Sequence, residues 1–248
     1  MAFLRCDYHS TLLDMSTSFI ASLPDSVALD KAPVLYLLHG LSDNCTGWSR
    51  YTRVDRYAYD HQVAVIMPEV QRSFYTDMAM GMEYFSYITE ELPAFCRHTF
   101  GLSRERELNY VAGLSMGGYG ALKCALKRPE SYAACAAFSS VTDYPGRAAR
   151  ADERERREIR AIVGPDGMVP EDEDLFALLK KADASALPEF YMTCGEQDAL
   201  YDENVRFARA LEEKGARLRF DHWEGTHSWE LWDRSVKQTM ELFFENRR

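Results

Sequence analysis

The chain has 248 residues, 46% hydrophobic and 27% charged, which is enough to bury a sizeable core in one large domain and excludes a disordered or fibrous chain. Its 29 Lys and Arg against 39 Asp and Glu leave a formal charge of −10, which repels phosphate backbones and anionic lipid surfaces, so neither nucleic acid nor a membrane is an expected partner. No apolar run approaches the roughly 18 residues a membrane span needs, and residues 1–10 hold neither a basic nor an apolar signal region, so the sequence reads as cytoplasmic.

The first thirty residues alternate polar and apolar side chains over 2–8 and 12–23, the pattern of an antiparallel hairpin at a sheet edge. Residues 34–38 (VLYLL) then form a short continuous apolar run ending at His39-Gly40, as a strand buried on both faces does. Residues 63–67 repeat the pattern and stop at Pro68. Similar runs lie at 108–112 before a glycine cluster, at 133–138 before Ser139-Ser140, and at 190–194 running into Gly195, and a last strand pattern covers 217–222. Helical patterns lie between them, at 84–100, at 117–127 closed by Pro129, and at 204–214 closed by Gly215, where glycine accepts a left-handed conformation. Strands alternating with helices predict the α/β class: a mostly parallel, doubly wound sheet with helices on both faces.

Residues 144–186 break the alternation. They carry a run dense in both charge signs (147–160), then Gly164-Pro165-Asp166-Gly167, then Leu175, Leu178 and Leu179 at helical spacing. The segment reads as a helical, cap-like insertion over the strand ends, and the charge run as a solvated helix face with ion pairs worth tenths of a kcal/mol each. Without internal repeats or a low-complexity linker, 1–248 is expected to be one domain. Six cysteines (Cys6, Cys45, Cys96, Cys124, Cys135, Cys194) form no CxxC pair, which suits reduced core thiols better than disulfides or a metal site.

Gly113-Leu114-Ser115-Met116-Gly117 matches G-x-S-x-G, with a predicted strand before it and a helix after it. The five-residue pattern alone recurs by chance; the context gives it weight. A serine on a sharp strand-to-helix turn needs strained backbone angles, and glycines two residues either side keep the turn uncrowded. A serine hydroxyl also needs a histidine base, and that histidine needs a carboxylate to hold its tautomer. The expected chain order, Ser115, then an acid after a later strand, then a histidine after the last strand, is met by Asp198 and His227. Glu196 and Asp202 compete as the acid, but Glu196 leaves the strand end directly, whereas Asp198 lies far enough beyond it to reach the cleft. His39 and His222 compete as the base; both lie at or within strand patterns and suit packing or loop orientation. The His39-Gly40-Leu41-Ser42 turn can aim the Leu41 N–H where the Met116 N–H also points, a pair of oxyanion donors each worth on the order of 3 kcal/mol. Aromatic residues gather near the strand ends at Trp48, Phe74, Tyr75, Tyr144, Tyr201 and Trp229. Trp48, Tyr75, Tyr144 and Trp229 are candidates for a substrate pocket, although Trp229 also begins a helical stripe with Trp232, Val236, Met240 and Phe243; such stripes are usually core, and Trp232 reads as core.

Residues 35–48 (LYLLHGLSDNCTGW), 73–78 (SFYTDM), 113–118 (GLSMGG), 195–198 and 225–229 together resemble the esterase D group of the α/β-hydrolases. Within it the likeness is greatest to the tributyrin esterases and related bacterial acetyl and feruloyl esterases, and it spans almost the whole chain. The resemblance implies the α/β-hydrolase fold and a serine carboxylesterase that forms an acyl-enzyme with short-chain or aromatic acyl esters. Acetyl or feruloyl esters on plant polysaccharide fragments are among the implied substrates, with no metal and no organic cofactor. Position by position it implies Ser115 as nucleophile, Asp198 as acid, His227 as base, and Leu41 with Met116 as the oxyanion hole. Ser228 departs from the acidic residue that relatives often carry before the tryptophan, and residues 144–186 diverge too far to transfer a substrate preference. An S-formylglutathione hydrolase-like thioesterase is the alternative within the same group; a non-catalytic binding protein on the same fold is the alternative of another class. The expected partner is a small ester substrate, and a homo-oligomer is left open.

Overall fold

The computed structural model of the chain describes residues 1–245. Its strands are β1 (Ala2–Ser10), β2 (Met15–Leu23), β3 (Val34–Leu38), β4 (Ala64–Pro68), β5 (Asn109–Leu114), β6 (Ala134–Phe138), β7 (Glu189–Gly195) and β8 (Leu218–Trp223). They form one sheet in the order β1-β2-β4-β3-β5-β6-β7-β8. From β4 to β8 neighbouring strands are parallel, and the β1-β2 hairpin joins antiparallel at the β4 edge, as the alternating N-terminal pattern predicts. The fold is that of the α/β-hydrolases.

The helices, in chain order, are α1 (Gly47–Tyr51), α2 (Val54–His61), α3 (Tyr84–Ser86), α4 (Leu92–Phe100), α5 (Met116–Lys127), α6 (Tyr144–Arg150), α7 (Glu153–Val163), α8 (Leu175–Lys181), α9 (Tyr201–Lys214) and α10 (Trp229–Phe244). A π-helical stretch, Tyr87–Glu91, joins α3 to α4 within the helix predicted over 84–100. Successive strand side chains point to opposite faces, and here both faces are buried. Val34, Tyr36 and Leu38 of β3 enter one apolar cluster with residues of α5, α8 and α9, while Leu35 and Leu37 enter the other with residues of α2 and α10. That double burial explains the continuous apolar runs. One boundary moves for a local reason: Val63 donates its N–H to Ala58 O at 3.0 Å and so closes α2 instead of opening β4. Helix α2 buries only Val54 and Ala58, too few to register as a period in the sequence.

Residues 144–186 connect β6 to β7 through α6, α7 and α8. Helix α7 buries Ile159 and Ile162, and its last turn is tied to the 77–82 loop by Ala79 N–H to Ile162 O (2.8 Å) and Met80 N–H to Ala161 O (2.9 Å). A buried polar cluster fixes the segment to α5. There Lys123, with no exposed surface, pairs with Glu173, which also accepts from Thr76 Oγ1 and Tyr119 Oη, both at 2.9 Å. Burial lowers the Lys123 pKa, and the Glu173 carboxylate opposes that shift. Removing one partner of such a pair strands a buried charge, whereas removing both with apolar residues of similar volume is close to neutral. Glu173→Leu is therefore expected to cost about 3–5 kcal/mol, and the double variant Lys123→Met/Glu173→Leu to recover most of it. Urea denaturation midpoints check this; equal losses in the single and double variants would rule out the pairing as the cause.

Candidate active site

The chain leaves β3 for β4 on one side and returns to β5 on the other, so the carboxyl ends of β3 and β5 flank the crevice that such a reversal opens. Ser115 stands there alone between β5 and α5, at φ 54° and ψ −114°, a conformation that costs a residue bearing a Cβ about 1–3 kcal/mol. Its backbone is fixed on both sides. Ser115 N–H donates to Phe138 O at 2.8 Å, and Ser115 O accepts from Tyr119 N at 3.1 Å and Val141 N at 3.2 Å. The flanking glycines answer to close approach: a Cβ on Gly113 would lie 2.2 Å from Gly117 O, and one on Gly117 would lie 2.3 Å from Leu38 O.

His227, in the loop between β8 and α10, places Nδ1 2.8 Å from Asp198 Oδ2. The Asp198 side chain is fully buried and its Oδ1 accepts the Leu200 N–H at 2.9 Å. Burial alone would raise this carboxyl, but hydrogen bonds from His227 and Leu200 and the nearby imidazole outweigh it and hold the pKa below the usual value. An ionised Asp198 accepts a hydrogen bond from Nδ1–H, which leaves Nε2 as the basic ring nitrogen. The imidazole packs edge-to-face on Trp232, with centroids 4.8 Å apart.

The competitors find other work. Glu196 pairs with His222, Nδ1 to Oε1 at 2.8 Å, on the exposed side of β8. Asp202 is exposed in the first turn of α9. His39 is buried; its Nε2 accepts the Val70 N–H (3.2 Å), which leaves Nδ1–H to donate to Gly40 O (2.8 Å). Gly40 O also accepts the Asp43 N–H at 3.1 Å. Across a trans peptide the N–H points opposite to the carbonyl, so holding Gly40 O this way turns the Leu41 N–H to the other side of the turn. Met116 is the first residue of α5, where an N–H has no partner within the helix.

Ser115, Met116, Leu41 and His227 share the wall of a cavity of about 430 Å³. Of the aromatic residues proposed from sequence for its lining, Trp229 reaches the wall, and so does Phe74. Trp48, Tyr75 and Tyr144 do not: each is fully buried behind it. Trp48 Nε1 donates to Leu38 O at 3.1 Å and Tyr75 Oη to His39 O at 2.9 Å, while Tyr144 stacks on Phe74 with centroids 4.5 Å apart. These rings hold the carbonyls at the end of β3 and back the wall, which leaves them no face for a ligand. Tyr201 packs on His222 instead, and Trp232 serves both core and cavity wall.

Three charged wall residues escaped the sequence reading: Asp43, Arg72 and Arg147. Arg147 lies in the charge run taken for a solvated face, and only the turn of α6 brings it to the cavity. Glu203 and Asn204 were missed as well. From the first turn of α9, just beyond Asp198, they take the Thr142 N–H (2.8 Å) and the Ser140 N–H (3.1 Å), and so hold the loop whose Val141 bonds Ser115. Cys194, the thiol nearest Asp198 in sequence, does not rival the serine: burial pushes it up to about 12.

The sequence model of a family described as "Putative esterase" matches residues 10–242. An acetyl esterase of Caldicellulosiruptor saccharolyticus is 30% identical over 263 residues, covering 97% of each chain. The structure of fluorophosphonate-binding serine hydrolase F of Staphylococcus aureus superposes with a TM-score of 0.90 at 32% identity, over 98% of each chain. An S-formylglutathione hydrolase of Staphylococcus aureus superposes at 0.88, also 32% identical and over 98% of each chain.

Proposed function

The chain belongs to this esterase family and is a carboxylic ester hydrolase, and from that premise we propose that it cleaves short-chain or aromatic acyl esters through an acyl-enzyme on Ser115. One observation carries the assignment: the strained Ser115 turn and His227, whose Nδ1 lies 2.8 Å from the buried Asp198, line one cavity. Ser115 Oγ attacks the acyl carbon while its proton passes to His227 Nε2. The carbonyl oxygen, now anionic, is met by the N–H groups of Leu41 and Met116, each donor worth about 3 kcal/mol. Collapse expels the alcohol, which takes the proton from Nε2, and water repeats the sequence to release the acid. Asp198, whose carboxyl is held below its usual pKa, stabilises the imidazolium when it forms. The helices between β6 and β7 act as a cap that sets acyl or alcohol preference without supplying catalytic groups.

Thioester cleavage is the second reading, supported by the likeness to the staphylococcal S-formylglutathione hydrolase. Turnover of p-nitrophenyl acetate, p-nitrophenyl butyrate, methyl ferulate and S-formylglutathione by the purified protein ranks the substrate classes. A fluorophosphonate probe that labels the wild type but not Ser115→Ala identifies the nucleophile. Failure of the probe to label Ser115, with no turnover across the panel, would leave the non-catalytic alternative standing.

A further inference from the structure

The cavity wall carries two arginines and one aspartate on a chain whose net charge is −10. Arg72, from the loop after β4, and Arg147, from α6, both line the wall that carries Ser115. Each is held by a carboxylate of α7: Arg72 Nη2 lies 2.7 Å from Glu158 Oε2, and Arg147 Nη2 lies 2.7 Å from Glu155 Oε1. A guanidinium has five N–H donors, and these pairs use one of them on each residue; Arg72 commits one more, through Nη1, to Leu41 O at 3.3 Å. The carboxylates therefore fix the two heads without exhausting them. Glu158 is also within 4.0 Å of Arg154, so its charge is shared between two guanidinium groups.

The remaining titratable groups on the wall are His227 and Asp43. Burial raises the Asp43 pKa, with His39, the Gly40 backbone and His227 opposing the shift, and on the wall itself this one carboxyl group faces two guanidinium groups. The rest of the wall is largely apolar, with Phe74, Val141, Trp229 and Trp232. A neutral acyl or aryl group needs only that apolar surface; two fixed guanidinium heads beside it match a planar oxyanion.

We infer that Arg72 and Arg147 select esters that carry a carboxylate, so that the preferred substrates are anionic esters; this rests on the esterase reading of the same site. The carboxylate can belong to either half of the ester, and two substrate pairs distinguish the halves. On the alcohol side, para-acetoxybenzoate is compared with para-acetoxybenzamide; on the acyl side, mono-p-nitrophenyl adipate is compared with p-nitrophenyl heptanoate. The readout is the anionic-to-neutral ratio of kcat/KM, measured in wild type, Arg72→Gln, Arg147→Gln and the charge-reversed Arg147→Glu. Comparing ratios between proteins removes both intrinsic ester reactivity and any general loss in a variant.

In at least one pair the ratio is expected to fall about tenfold in each Gln variant and further in Arg147→Glu, mainly through KM. Raising NaCl from about 0.05 to 0.5 M should lower the wild-type ratio as the screening length shortens, a response that a purely structural arginine does not give. Ratios unchanged in both pairs across all variants, with neutral esters still hydrolysed, would overturn the inference alone. No turnover of any ester and no probe labelling of wild-type Ser115 would overturn the esterase reading and the inference with it.

Discussion

Ser115→Ala is expected to lower kcat by about 10⁶, because a nucleophile and its base act as one unit and fail together. The fold should survive the change. The structure ties Ser115 through its backbone N–H and C=O, and alanine keeps both, along with the same Cβ at the same positive φ. Single-turnover kinetics with p-nitrophenyl acetate, alongside circular dichroism, checks both halves of the expectation; a variant that retained a tenth of wild-type activity would exclude Ser115 as nucleophile. Ser115→Gly extends the test to stability. Glycine accepts φ 54° without the strain that serine bears there, so this variant should be equally inactive. It should also gain about 1 kcal/mol, the strain relieved less the extra chain entropy that glycine loses on folding. A lower Tm in Ser115→Gly than in Ser115→Ala would show that the turn stores no strain.

Asp198→Asn is expected to cost about 10⁴ in kcat with little change in KM, since the amide no longer fixes the His227 tautomer or stabilises the imidazolium. Glu196→Gln is the internal control, because its carboxylate serves His222 on the far side of the same loop. It should cost less than about threefold. The buried Asp198 also links stability to pH. Its pKa is lowered in the folded protein, so its stabilising contribution is complete above the ordinary carboxylate pKa and is lost as pH falls through that value toward the depressed one. Asp198→Asn should flatten this part of the acid-unfolding profile. A greater loss of kcat in Glu196→Gln than in Asp198→Asn would reassign the acid.

Much of the architecture is legible in the amino-acid sequence. The run at 34–38 is apolar at every position, and those at 108–112 and 190–194 are broken only by Asn109 and Thr193, because both faces of β3, β5 and β7 are covered, a signal that needs no knowledge of the neighbours. The glycines around Ser115 were legible for a similar reason: a backbone approach of 2.2–2.3 Å to a would-be Cβ tolerates no other residue. Chain order singles out Asp198 and His227, and the structure places them 2.8 Å apart.

What the sequence alone could not decide is which side chains face the cavity. Trp48, Tyr75 and Tyr144 carry the same aromatic signal as Trp229 and Phe74, yet their donors or rings are spent on the end of β3 and on the back of the wall. Arg147 belongs to a charge run in which Arg154 pairs with Glu158 and Arg157 with Glu153 along α7, and it lines the cavity because α6 brings it there after β6. Composition and period report how much of an element is buried. Whether a buried or charged group ends on a cavity wall depends on which distant segment packs behind it, and only the three-dimensional arrangement sets that.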